Sequence, residues 1–215
     1  LAPELPGALE LLKSSDLPLK WHLGHSACTY DEARAAFAAG ASGLTHLFNA
    51  MPPLLHRAPG LIGAAAEDPC CMAELICDGH HVHSAAVHAA VKLFGEQRII
   101  MISDAMRAAG LSSGEYELGG QQVFVSEGRA TLGDGRLAGA AATLLDDLRT
   151  AVMKMGLPLE SAVRMATLNP AKALGLTHEI GALQEGMRAD VLVLDKELRA
   201  RQVLTGGQRA ALTPR

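Results

Sequence analysis

Four short apolar runs, each closing on a histidine or an aspartate, constrain this chain more than any other feature. Residues 17–23 close on Gly24-His25-Ser26, and Gly43-Leu44 leads into Thr45-His46-Leu47-Phe48-Asn49-Ala50-Met51-Pro52. Residues 72–77 close on Asp78-Gly79-His80-His81, and residues 98–103 on Asp104-Ala105. Short apolar runs bounded by small or turn-forming residues are how buried parallel strands read. The runs start roughly 25 to 30 residues apart, the length of a βα unit with a short loop at each end. Parallel strands all finish on one face of their sheet, so the polar residues that end them converge there. The pattern predicts an α/β chain built as part of a (β/α)8 TIM barrel, with a metal-dependent hydrolase site at the strand ends.

The segments between the runs agree. Leucines at 9, 11 and 12 give residues 6–15 helical spacing. Thr29 and Glu32 form a capping box ahead of an alanine-rich helix that stops at Gly40. Residues 49–63 read as a long polar loop, and 84–94 as a helix ended by Gly95. Beyond Gly110 the texture changes: residues 116–132 alternate, with glycine pairs as turns, which predicts an antiparallel hairpin insertion near 115–133. Helices follow over 141–155 and 159–174, the second broken or kinked by Pro170. Strands at 189–195 and 202–205 belong to a separate β-layer, and residues 207–215 read as a loose tail. Domain organisation is therefore expected as barrel units over 1–178 and a segment of a small β-sandwich over 179–215.

Composition excludes several partners. The formal net charge is −4 over 215 residues, and no basic block or basic helix face appears. Nucleic acid and anionic membrane surfaces are not expected partners. No apolar run approaches the roughly 18 residues of a membrane span, and a signal peptide is not expected. Cys28, Cys70, Cys71 and Cys77 lack paired zinc-ribbon spacing. They read as reduced packing residues of a cytoplasmic protein.

Single histidines are usually structural or merely exposed. His22, His56, His88 and His178 are read that way. His25, His46 and Asp104 differ because one local event recurs: apolar strand, polar residue, loop. Two neutral imidazoles and a carboxylate suit Zn2+, which takes nitrogen and oxygen ligands and keeps an open position for water. Fe2+ or another divalent ion would suit the same set. The blander reading is that the three cap strand ends by hydrogen-bonding loop backbone. Asp78-Gly79-His80-His81 is either a turn with incidental histidines, His83 being one more, or a ligand contact where Gly79 allows close approach. Asn49-Ala50 before two prolines can be turn chemistry alone. Arg57 is either a solvated loop charge or an anion clamp whose fork matches phosphate. Leu137-Ala138-Gly139 reads as a helix lead-in.

Taken in order, these motifs resemble the N-acetylglucosamine-6-phosphate deacetylase family of the amidohydrolase superfamily. The match runs through Gly24-His25-Ser26, the 45–52 stretch, Asp78–His81, Ser103-Asp104-Ala105 and Leu137-Ala138-Gly139. It continues into Ala166-Thr167-Leu168-Asn169-Pro170-Ala171, Gly181, Gly186 and Ala189-Asp190. The resemblance implies that His25 and His46 are ligands of a divalent metal, most readily Zn2+, and that Asp104 is the proton donor and acceptor. It implies backbone contacts from Asn49 and Ala50 to a phosphorylated amino sugar. Arg57 is implied to reach the phosphate in the neighbouring site of a homodimer. Asp78, Gly79, His80 and above all His81, with Leu137, Ala138 and Gly139, are implied as further substrate-binding residues. The implied reaction is hydrolysis of the acetamide of N-acetylglucosamine-6-phosphate to glucosamine-6-phosphate and acetate.

Three other readings stay open: the galactosamine epimer as substrate, a different amidohydrolase, and a catalytically silent fragment. Many of the other amidohydrolases carry a carboxylated lysine in the barrel, whereas Lys20 is the only lysine on an expected strand and is not at its end. Two departures from the family bear on the third reading. The Glu-Gly-Pro segment that supplies a further metal ligand lies ahead of the matching region, and Glu4 does not replace it. After Gly139, where the family usually has serine, this chain has Ala140.

Overall fold

Four parallel strands, laid side by side in chain order, organise the protein in a computed structural model that describes residues 1–14, 18–126 and 128–211. They are β1 (Trp21–Leu23), β2 (Ala41–Leu44), β3 (Met72–Ile76) and β4 (Ile99–Ile102). Helices α1 (Ala8–Ser14), α2 (Tyr30–Ala38), α3 (Gly60–Glu67) and α4 (Ser84–Phe94) fill the intervals. Among the described residues the sheet is open, with β1 and β4 at its edges. Fully buried Leu23, Leu44, Leu75 and Ile99 join one core with Phe37, Leu61, Val87 and Phe94. Consecutive strands pairing in parallel, each separated by a helix, is the arrangement expected of βα units.

The helix starts follow the local chemistry. Thr29 caps α2 in the expected box with Glu32. His83 caps α4 by accepting the Ala85 N–H, so its imidazole has a structural job. The 49–63 loop is shorter than its composition implied, because Gly60–Glu67 is helical. Pro59 and two glycines resemble a loop in sequence, but Leu61, Ile62, Ala64 and Ala65 are buried in the core, and that burial overrides the weak propensity.

The excursion after Gly110 is a four-stranded antiparallel sheet: β5 (Gly114–Leu118), β6 (Gln121–Ser126), β7 (Arg129–Leu132) and β8 (Leu137–Ala140). It extends past the expected 115–133 hairpin, and Leu137-Ala138-Gly139 form a strand instead of a helix lead-in. A small separate core with Met106, Ala108, Val123, Val125 and Ala138 holds it. Three helices follow, α5 (Leu144–Met153), α6 (Leu159–Ala166) and α7 (Leu168–Leu174). The break between α6 and α7 falls at Thr167, which leaves Pro170 inside the first turn of α7, where its missing N–H has no intrahelical partner to lose.

A last sheet joins β9 (Val191–Leu194), β10 (Ala200–Thr205) and β11 (Gln208–Ala210). Pairing of β11 with β10 corrects the expectation of a loose tail from 207, while residues 212–215 lie outside the described residues. Among the described residues no helix is long and apolar enough to cross a membrane.

Candidate active site

The register of the parallel sheet sets the site. Leu23 pairs with Leu44, and the Thr45 N–H donates to the Leu23 carbonyl at 2.8 Å. His25 and His46, two residues beyond the paired leucines, therefore emerge side by side. Their rings meet edge to face with centroids 4.6 Å apart. Asp104 emerges two residues beyond β4. All three leave their strands in the left-handed region, with φ of 46° at His25, 33° at His46 and 49° at Asp104. Side chains with a Cβ avoid this conformation at a cost of about 1–2 kcal/mol each. Strain of this kind at three strand ends, with Phe48 and Ala50 beside them, is a property of functional sites.

His46 is 4% exposed, and its buried Nδ1 has no hydrogen-bond partner. Such an atom costs about 1–3 kcal/mol unless a ligand meets it. A pair of imidazoles in edge contact, one carrying an orphaned nitrogen, fits part of a divalent-cation site. Among the described residues no group of three or more His, Cys, Asp or Glu side chains is arranged to hold a metal ion. The histidine pair is thus the whole of the donor set gathered there. The side chain of Asp104 is exposed.

The Asp78 loop is a tightly bonded unit. The Asp78 carboxylate accepts the backbone N–H groups of His80 and His81 at 2.8 and 2.9 Å, and the His81 Nδ1–H at 2.6 Å. Burial pushes this carboxyl up, but those bonds outweigh it and hold Asp78 below the usual carboxylate range. Because a carboxylate only accepts, His81 donates from Nδ1, which fixes its ring and turns Nε2 away from Asp78. The exposed His80 and the buried Asp78 also line a cleft of about 560 Å3, with Ala141, Ala142, Asp146 and Arg149.

Asn49 donates its side-chain amide to the carbonyls of His46 and Leu47 at 3.2 Å each, so it ties the turn that carries His46. Arg57 is exposed within a run, residues 52–58, that is exposed throughout, and no described side chain holds it. Leu137, Ala138 and Gly139 reach the site through backbone: the Ala140 N–H that follows them donates to the Asp104 carbonyl at 2.9 Å.

Several supporting residues carry no signal in the linear pattern. Glu4 accepts from the Ser26 hydroxyl at 2.6 Å and from the Ala27 N–H at 2.7 Å, which pins the loop around His25. His22 reaches across β2 to Glu74, Nδ1 to Oε1 at 2.8 Å. It passes over Gly43, where a Cβ would lie 2.3 Å from His22 Nε2. Only glycine fits beneath that bridge, and the Glu74 carbonyl accepts the Leu47 N–H directly after His46. Asp147, on α5, is fully buried with both oxygens unpartnered. Burial first, then the charges of Asp78 and Asp146, push its carboxyl up to about 8.

Parallel strands that deliver a histidine pair and an aspartate at their carboxyl ends define an amidohydrolase arrangement, a class that generally works with a divalent metal. The chain belongs to the amidohydrolase family, whose profile matches residues 2–212. Within it, the chain is 41% identical to N-acetylgalactosamine-6-phosphate deacetylase of Escherichia coli O157:H7, over 98% of this chain and 56% of that one. It is 39% identical to N-acetylglucosamine-6-phosphate deacetylase of Vibrio furnissii, over 100% and 55% of the two chains. The crystal structure of the Pasteurella multocida N-acetylglucosamine-6-phosphate deacetylase superposes with a TM-score of 0.93 at 32% identity, covering 99% of this chain and 56% of that one. A mutant of the Mycobacterium smegmatis enzyme in complex with N-acetyl-D-glucosamine-6-phosphate gives 0.91 at 41% identity, covering 97% and 56%. The chain spans about half the length of the curated relatives it matches.

Proposed function

We propose that β1–β4 are the later units of a (β/α)8 barrel that hydrolyses the acetamide of N-acetylglucosamine-6-phosphate. The observation that carries this reading is the paired His25 and His46, in edge contact and both in strained left-handed backbone, with Asp104 in the same conformation beyond β4. His25 and His46 would hold a divalent ion, for which Zn2+ is the best match to imidazole donors. That ion, when bound, supplies carbonyl polarisation and lowers the pKa of an attacking water toward about 7.

Asp104 is the proton carrier. Its carboxylate takes a proton from the attacking water and delivers it to the amide nitrogen as the C–N bond breaks, so that acetate and the free amine leave. His81 offers Nε2 as an acceptor for a sugar hydroxyl, with its orientation fixed by Asp78. The backbone at Asn49 and Ala50 faces the phosphate, and Arg57 completes it from the partner of a homodimer. The exposed apolar residues Leu54 and Leu55 beside Arg57 support that assembly. Four unpaired cysteines support a reducing, cytoplasmic setting. The β9–β11 sheet serves as a segment of a small β-sandwich domain beyond residue 178.

A second reading has its own support, because the galactosamine-6-phosphate relative is as similar as the glucosamine ones. Both sugars, offered to the intact natural chain with Zn2+, decide between them by kcat/KM. Acetate release from neither, with metal bound, would overturn both readings. Arg57→Ala should raise KM for the phosphosugar by about 30-fold or more, the effect of truncating one partner of a charged contact. The same variant should leave hydrolysis of the unphosphorylated sugar nearly unchanged.

A further inference from the structure

The carboxylate of Asp104 is held by no hydrogen bond among the described residues, so its aim depends on backbone alone. That backbone is gripped from outside the parallel sheet. The Asp104 carbonyl accepts the Ala140 N–H at 2.9 Å, and the Met106 N–H donates to the Ala140 carbonyl at 2.9 Å. Ala105 and Ala140 form an isolated parallel bridge at the same place. One residue earlier, Gly139 takes φ +76°. A Cβ there would lie 3.2 Å from the Asp104 carbonyl oxygen and 3.4 Å from Met106 Cβ. Both neighbours are fixed, the first by its bond to Ala140 and the second by the small core under β8. A side chain at 139 needs the Asp104 carbonyl to give by a few tenths of an ångström, or the clamp to loosen.

We propose that Gly139 is a positioning residue for Asp104, and that the β5–β8 sheet serves the reaction by holding the strand-end acid in its left-handed conformation. This rests on the reading of Asp104 as the proton carrier. It differs from a substrate contact at Gly139 in what it predicts. A displaced proton carrier slows the chemical step, whereas a lost substrate contact weakens binding.

Gly135 supplies a matched control. It lies in the same sheet's last turn at φ +85°, and nothing stands within 4 Å of the Cβ it would gain. Gly135→Ala and Gly139→Ala therefore carry the same left-handed strain, but only the second adds a tight contact with the Asp104 carbonyl. Gly139→Asn separates the two effects further, because asparagine tolerates left-handed backbone while keeping a Cβ.

The experiment measures kcat, KM for N-acetylglucosamine-6-phosphate, bound metal and melting temperature in the intact natural chain. Misplacing a reacting group by about 1 Å costs on the order of 100-fold, and this contact asks for a few tenths of an ångström, so Gly139→Ala and Gly139→Asn are each expected to lower kcat by roughly 3- to 10-fold. KM and metal content should stay within about twofold of the parent, as a pure effect on the chemical step requires. Gly135→Ala should lose less melting temperature than Gly139→Ala, since it carries the backbone strain alone, and keep the parent's kcat. Should Gly139→Ala not fold, Gly139→Asn carries the comparison. Parental kcat in a folded Gly139 variant overturns the proposal. So does a raised KM at constant kcat, which makes Gly139 a substrate contact, or an equal loss of kcat in Gly135→Ala. Asp104→Asn separates this inference from the reading beneath it. If Asp104→Asn turns over like the parent, Asp104 is not the proton carrier. If it is inactive while Gly139→Ala is fully active, only the clamp is lost.

Discussion

At the amino-terminal end of the parallel sheet, almost every polar group has a partner; at the carboxyl end, several have none. Arg98, just ahead of β4, donates Nε to the Phe94 carbonyl at 2.8 Å and Nη2 to the Ala66 carbonyl at 3.1 Å. Its Nη1 serves the carbonyls of Ala65, Asp68 and Cys71. Asn169 of α7, almost fully buried, donates to the carbonyls of Glu96 and Ile99 at 2.7 and 2.6 Å, and the Ser161 hydroxyl donates to the Glu96 carboxylate. The other end holds the strained His25, His46 and Asp104, the orphaned Nδ1 of His46, and the unpartnered carboxyl of Asp147. One sheet thus carries a saturated base and a frustrated rim. Unmet polar atoms and strained backbone are what a ligand-binding end requires, and the base supplies the stability that tolerates them.

Substitutions at the two ends should separate activity from stability. Asp104→Asn should lower kcat by about 10^2- to 10^4-fold, the usual worth of a general acid–base group, with substrate affinity and melting temperature kept. A fall of less than about tenfold would remove Asp104 from that role. At the base, Arg98→Ala should do the reverse. It leaves several carbonyls without a donor, at a cost of about 1–3 kcal/mol for each buried group stranded. Denaturant titration should show that loss, while KM of the folded fraction stays unchanged. Reduced turnover at unchanged stability would contradict the division between the ends.

The smallest effect belongs to Asp147, and it has the opposite sign. Its folded pKa lies above its unfolded value, from 3.8 to about 8. The protonated form is the one the fold prefers, so stability is complete below about pH 4 and is lost progressively as pH rises toward 8. Asp147→Asn should therefore melt higher than the parent, by an amount that grows between those pH values and levels off above them. The gain is expected at about 1–3 kcal/mol, because the new amide still lacks a partner. A pH-independent difference would show that Asp147 is not the titrating group. Asp78, close by but bonded three times, should show no such gain on substitution to Asn.

The strand-end placement of the candidate residues is legible in the linear pattern. His25, His46 and Asp104 were marked by strand-end position, and the Thr29 capping box and the helix Ser84–Phe94 by local pattern. These signals are short-range: an apolar run, a polar residue, a cap three residues on. What escaped was set by neighbours distant in sequence. The helix Gly60–Glu67 looks like loop until its apolar side is buried against α2 and the sheet. The strand Leu137–Ala140 has no periodicity of its own and exists because β7 on one side and Asp104–Met106 on the other provide its bonds.

The chain's own order of residues was enough to dictate parallel βα units and the identity of the polar residues at their ends, since strand length, alternation and caps are local properties. Only the folded arrangement decided that His25 faces His46 at 4.6 Å and that the Asp104 carbonyl is bonded by the Ala140 N–H. It likewise decided that His22 bridges to Glu74 over a glycine and that Asp147 is left buried without a partner. Each of these depends on register between strands and on which atoms burial removes from water. Those are long-range quantities that no window of sequence contains.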